Sequence, residues 1–136
     1  MSLRLSPRQI LDAQETEAAF QAKVIALAKL YQWEWIHHNG DSRRSVSGLP
    51  DLILARRKPF PRLLFLELKT EKGAARKGKW YGKGTKAHYE LGQEEVLEIL
   101  HAVEGRYTVG CLDNGAFFAG LLRPSDWERI EELLKP

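Results

Sequence analysis

Cysteine is almost absent from this chain: Cys111 is the single thiol among 136 residues. No internal disulfide can form, so a reducing compartment is the expected setting. Long apolar runs are missing too, and no stretch approaches the roughly 20 apolar residues of a membrane-crossing helix. Residues 1–6 show no signal-peptide pattern. A cytoplasmic protein with no membrane partner is the expectation. Internal repeats and low-complexity tracts are also lacking. At this length the chain is expected to fold as one domain over residues 1–136, large enough to bury a core without disulfides or a structural metal.

The net charge is only +3, but it is unevenly spread. From Arg56 to Glu90 there are eleven basic residues against three acidic ones, a local charge of +8, so the remainder carries −5. Such asymmetry suits either a face that binds a polyanion or a solvated lysine-rich loop.

Ser6-Pro7-Arg8-Gln9 has the form of a capping box with proline at the first helical position. A second helix start is read at Asp12, with Glu15 three residues on, and Phe20, Val24, Leu27 and Tyr31 recur at helical spacing. The spacing predicts a helix over residues 13–32, preceded at most by a short turn. Residues 33–38 are β-prone, and residues 39–47 read as a polar loop. Two apolar strands follow, near residues 51–56 and 63–69, joined by the turn Lys58-Pro59-Phe60-Pro61. Residues 70–89, rich in glycine and lysine, read as a mobile loop that orders on binding. A helix is expected over residues 92–103, with Gly105 as its stop. Residues 106–112 and 116–121 are expected to pair as a hairpin about Asp113-Asn114-Gly115. Ser125 and Glu128 form the capping box of a last helix. The predicted class is α/β, a mixed sheet flanked by helices in the order α-β-β-β-α-β-β-α.

The chemistry concentrates at one strand end. Side chains alternate across a strand, so Leu63, Phe65, Glu67 and Lys69 share a face. An apolar strand ending in Glu-x-Lys is costly, because buried charges need partners. If the two apolar strands are antiparallel neighbours, Asp51 at the start of one converges on Glu67 at the end of the other. Two carboxylates suit a hard divalent cation such as Mg²⁺ or Mn²⁺, and the backbone carbonyl of Leu68 could add a ligand. A metal there polarises a phosphate and lowers the pKa of water. Lys69 could orient the nucleophile or neutralise growing charge. Glu17, on the first helix, could supply a third carboxylate, directly or through water. The plainer reading is a structural ion pair at a strand end.

Gly48-Leu49-Pro50-Asp51 followed by Glu67-Leu68-Lys69 resembles the PD-(D/E)xK nuclease motif. More specifically, the chain resembles the VRR-NUC family, through Glu17-Ala18-Ala19-Phe20-Gln21, the segment Trp35 to His38, Gly48 to Asp51, Glu67 to Thr70, Gln93, and Arg123-Pro124-Ser125-Asp126-Trp127. The resemblance runs over residues 16–134. It implies a restriction-endonuclease-like core and a Mg²⁺-dependent endodeoxyribonuclease with Glu17, Asp51 and Glu67 at the metal and Lys69 as the catalytic lysine. It implies that Gln93 contributes from its helix. It also implies a homodimer acting on branched DNA such as four-way (Holliday) junctions, with no small-molecule cofactor. Two features depart from the family: an insertion over residues 74–90, and Leu121-Leu122-Arg123 in place of the Val-Arg-Arg that names it.

Other residues are candidates for the DNA itself. Arg43 and Arg44 precede the Gly-x-Pro-Asp segment, His38 lies near the active mouth, and Lys72, Arg76, Lys77, Lys79, Lys83 and Lys86 fill the basic tract. Trp80 and Tyr81 are either stacking platforms for bases or anchors that pack the tract onto the domain. His37, His38, His88, His101 and Cys111 fit no zinc spacing. Two alternatives stay open: a non-catalytic nucleic-acid-binding module, and a nuclease subunit of a larger assembly.

Overall fold

A computed structural model describes residues 4–39, 48–110 and 116–136, without the side chains of residues 104–110. Arg43, Arg44, Cys111 and the Asp113-Asn114-Gly115 turn lie outside the described residues. Helix α1 spans Pro7–Gln14 and α2 spans Glu17–Leu30. The Ser6 capping box forms as expected. The expected start at Asp12 does not, because Asp12 lies inside α1 and Thr16 caps α2 by accepting from the Ala19 N–H at 3.2 Å.

Strands β1 (Trp35–His38), β2 (Leu52–Arg56) and β3 (Arg62–Leu68) form an antiparallel meander. Strand β6 (Phe117–Leu122) completes a four-stranded sheet in the order β1-β2-β3-β6 and runs parallel to β3. This overturns the expected hairpin of residues 106–112 with 116–121. A parallel partner needs a crossover of about a dozen residues or more, and helix α3 (Gln93–Gly110) supplies it by continuing past Gly105. The chain ends in a 3₁₀ turn, Pro124–Asp126, and helix α4 (Trp127–Leu134). Among the described residues the fold is mixed α/β with four α-helices, none long and apolar enough to cross a membrane.

The core lies on one face of the sheet. Leu52, Leu54, Leu64, Leu66 and Leu68 meet Phe20, Val24 and Ala28 of α2 and Ile130 and Leu134 of α4. The C-terminal carbonyls of α4 are held by side-chain donors from the sheet side of the core. Trp33 Nε1 donates to the Leu134 carbonyl at 2.9 Å, Arg56 Nη1 to those of Leu134 and Lys135 at 3.3 and 2.9 Å, and Arg62 to that of Leu133 at 2.9 Å.

Residues 70–89 are not the loop that their polarity suggests. Strands β4 (Lys79–Tyr81) and β5 (His88–Glu90) pair as a hairpin, separate from the main sheet. Its cross-strand partners are aromatic, Trp80 with Tyr89 and Tyr81 with His88, and such pairs stabilise a ladder. The start of α3 anchors it. The Glu95 carboxylate accepts from the Gly78 N–H at 2.6 Å and the Tyr89 hydroxyl at 2.8 Å, which hold its carboxyl below the usual range.

Gly92 seats this contact. A Cβ there would fall 2.3 Å from the Arg76 carbonyl oxygen and 2.4 Å from the Gly78 nitrogen. Backbone cannot yield as a flexible side chain does, so Gly92→Ala is expected to cost about 1–3 kcal/mol locally and loosen the hairpin. Limited trypsin digestion should then cut at Lys77 and Lys79 several times faster; an unchanged rate would refute this account of Gly92.

Candidate active site

Two features of the β2–β3 ladder build the site. Lys69 N donates to the Leu122 carbonyl and Leu63 N to that of Ala116, so odd-numbered residues of β3 bond toward β6. Even-numbered residues therefore bond toward β2, and Leu68 presents both its N–H and its carbonyl on that side. Continuing the register from Leu52 and Leu66 sets Leu68 opposite Pro50. Proline has no N–H to offer the Leu68 carbonyl. The Leu68 N–H turns instead to the Asp51 carboxylate, 2.9 Å from Oδ2. The Gly-Leu-Pro-Asp sequence thus ends the ladder and leaves a carboxylate and a carbonyl oxygen at its end.

Glu67 is fully buried, and neither of its carboxylate oxygens has a hydrogen-bond partner. Burial pushes its carboxyl up to about 8, the Asp51 charge adds to the rise, and Lys69 opposes it. Lys69 Nζ stands 3.5 Å from Glu67 Oε1 and 3.9 Å from Glu17 Oε1, close enough to attract but longer than a good hydrogen bond. The expected convergence of Asp51, Glu67 and Lys69 is therefore present. Glu17 reaches this group through Lys69. Among the described residues, no three His, Cys, Asp or Glu side chains gather as a metal cage.

No family model, no curated protein and no solved structure matches this chain. The reading of the site therefore rests on its own chemistry. A buried carboxylate without hydrogen bonds costs several kcal/mol unless it is neutralised. A hard divalent cation answers that need, and Asp51, Glu67 and the Leu68 carbonyl form an all-oxygen donor set of the kind such ions take. The residues present fit the ion.

Gln93 opens α3, where Gly48 brings it close. Gly48 has φ of +78°, and a Cβ there would lie 2.6 Å from the Gly92 carbonyl oxygen. Only glycine fits, so α3 begins against the segment that carries Asp51. The Gln93 side-chain oxygen, however, accepts from the Arg76 N–H at 2.9 Å. Its observed contact is with the base of the hairpin rather than with the carboxylate pair.

His38 has a partner within the domain: its Nε2 lies 3.1 Å from Gln21 Oε1. An amide oxygen only accepts, so His38 donates from Nε2. Gln21 in turn donates to Glu17 Oε1 at 3.5 Å. A polar chain thus runs from His38 through Gln21 and Glu17 to Lys69. The role of Gln21 was not drawn from the sequence, although its spacing of four from Glu17 on a helix was the available signal. Arg123 was also missed. Its Nη1 donates to the carbonyls of Thr70 at 2.5 Å, Glu71 at 3.2 Å and Gly73 at 2.6 Å, fixing the turn that leaves Lys69. Lys72, Arg76, Lys77, Lys79, Lys83 and Lys86 are all exposed.

Proposed function

We propose that this chain is a divalent-metal-dependent DNA endonuclease with a restriction-endonuclease-like core. The observation that carries the reading is the fully buried Glu67 carboxylate, without a hydrogen bond, beside Asp51 and within 3.5 Å of Lys69. A structural ion pair would be expected to close to hydrogen-bond distance; here Lys69 stands 3.5 Å from Oε1, and neither oxygen makes a geometric hydrogen bond.

Asp51, Glu67 and the Leu68 carbonyl would hold Mg²⁺ or Mn²⁺. When bound, such an ion supplies charge neutralisation at a phosphate oxygen and lowers the pKa of water. Lys69, held between Glu67 and Glu17, orients the attacking water and offsets charge on the phosphate. Gln21 keeps Glu17 in place, and Arg123 holds the turn after Lys69 so that its ammonium stays over the pair. The basic tract supplies the electrostatic attraction for a polyanion. A homodimer resolving branched DNA such as four-way junctions is the preferred biological role, on the VRR-NUC resemblance; two sites about a twofold axis suit paired cuts.

The test is cleavage of branched, flapped and linear DNA with Mg²⁺ or with EDTA. Lys69→Met is expected to lower the Mg²⁺-dependent rate by roughly 10²- to 10³-fold with DNA binding retained. DNA binding with no Mg²⁺-dependent cleavage, unaffected by Asp51→Ala, would leave a non-catalytic binding module as the reading. A gel-filtration mass of one chain at micromolar concentration would remove the dimer.

A further inference from the structure

We propose that the β4–β5 hairpin is a binding site for unpaired nucleotides, with Trp80 as the stacking face and the basic side chains of the hairpin as phosphate contacts. This deepens the DNA-cutting reading by assigning the part of a branched substrate that the hairpin takes.

The first observation is the state of Trp80. The sequence left it as either an anchor for the tract or a platform for bases. It is 70 % exposed, so it does not serve to bury the tract against the domain. The anchoring is done elsewhere, by Tyr89 and Gly78 on Glu95 and by Arg76 on Gln93. Trp80 rests edge-on against Tyr89, with ring centroids 5.5 Å apart. It is therefore held in place while most of its surface stays open to solvent. On the other face of the hairpin Tyr81 stacks with His88 at 5.9 Å and carries Lys79 Nζ at 5.1 Å from its ring centroid. An aromatic ring supported at one edge and otherwise largely open to solvent is what a stacking platform requires.

The second observation is charge. Residues 76–90 hold five basic side chains and one acidic, and that acid, Glu90, lies 3.4 Å from His88. Arg76, Lys77 and Lys79 line a cavity of about 90 Å³ with Tyr81, Leu91 and Glu90, on the opposite face of the hairpin from Trp80. Flat aromatic faces interleaved with cations match a chain of phosphates with bases free to stack, which is single-stranded nucleic acid. A paired duplex offers phosphates to the lysines but keeps its bases from the indole. A second copy of this chain fits poorly, since its hairpin would bring the same excess of positive charge.

The hairpin is docked on the start of α3, and that start packs against Gly48, three residues before Asp51. An unpaired arm held on the hairpin is thereby tied to the element that carries the candidate site. That arrangement suits a cut made near a branch rather than within a continuous duplex.

The test is fluorescence anisotropy in EDTA on Glu67→Gln protein, so that binding is read without cleavage and its outcome stands apart from that of the nuclease reading. The probes are an oligothymidylate of about 15 nucleotides, a blunt duplex, and the same duplex with an unpaired tail. Trp80→Ala is expected to weaken binding of the single strand and the tailed duplex by about tenfold or more, and to leave the blunt duplex within about twofold. Trp80→Phe should restore most of the loss, since a ring is what is needed. Equal losses on all three probes, no loss on any, or failure of Trp80→Phe to restore binding would overturn the proposal. So would loss of binding to anionic phospholipid vesicles with the single strand unaffected, which would make the hairpin a membrane contact. Because Trp80 is mostly exposed, both variants should melt with the parent protein, and an unchanged rate of trypsin cutting at Lys77 and Lys79 separates a binding loss from loosening of the hairpin.

Discussion

Glu67→Gln is expected to abolish metal-dependent cleavage and, in metal-free buffer above neutral pH, to make the protein more stable. The two effects share one cause. The Glu67 carboxyl is buried without hydrogen bonds and faces the Asp51 charge, which together raise it to about 8. In the unfolded chain the same group titrates near its ordinary value of about 4.3. The folded protein therefore binds this proton more tightly than the unfolded chain does. Below about pH 4 both states carry the proton and stability from this group is complete. It is then lost as pH rises to about 8 and beyond, by at most about 5 kcal/mol. Glutamine cannot ionise, so the variant lacks this slope, and above neutral pH it should melt higher than the parent. Thermal melts from pH 5 to 9 in EDTA check this. Mg²⁺ should restore the parent's stability at high pH and leave the variant unmoved, because bound cation favours the ionised carboxylate. On DNA the variant should lose at least about a hundredfold in rate. Parent and variant that melt alike across this range, with and without Mg²⁺, would remove the buried-charge account of the site.

Arg56→Ala carries the second large effect, on stability rather than chemistry. Arg56 is 5 % exposed, lies 4.5 Å from the Trp33 ring centroid, and donates to the carbonyls of Leu134 and Lys135. Its removal leaves helix-end carbonyls short of a donor and opens space beside Trp33, so a loss of about 3 kcal/mol is expected in chemical denaturation. Arg56→Lys should recover little, since an ammonium lacks the planar fork that reaches two carbonyls and stacks on indole. Arg56 sits at the opposite end of β2 from Asp51, about 17 Å away along the strand, so cleavage per folded molecule should be unchanged at low temperature. A loss below about 1 kcal/mol would mean that the α4 carbonyls are satisfied in some other way.

What was legible in the sequence was what depends on local alternation. Period two placed Glu67 and Lys69 on one face, and an antiparallel turn placed Asp51 beside them; both hold. Long-range pairing was not legible. The Asp-Asn-Gly turn and Gly105 are strong local signals for a hairpin, yet β6 pairs with β3, some fifty residues earlier. The β4–β5 hairpin escaped notice because each strand is only three residues long, too short for an alternation to register. Arg123 escaped because its partners lie 50 to 53 residues away, and nothing in a side chain's identity announces which carbonyls it will reach. At the N-terminus the start read at Asp12 gives way to Thr16, four residues on, because the fold carries α1 through Asp12 and begins α2 only after it.

The base of the hairpin has a consequence for how this chain can be cut and rejoined. The Glu94 N–H donates to the Arg76 carbonyl at 3.1 Å while the Arg76 N–H donates to the Gln93 side chain. The chain therefore enters and leaves this element through one doorway, a single hydrogen bond wide. Between them lies a cassette that meets the rest of the protein at its two neighbouring ends, through the bonds to Glu95 and where Gly92 packs against Gly48. A short glycine bridge from Arg76 to Gln93 could replace it without pulling on β3 or on α3. The same doorway could receive a hairpin of another length or charge, with Asp51, Glu67 and Lys69 left where they are.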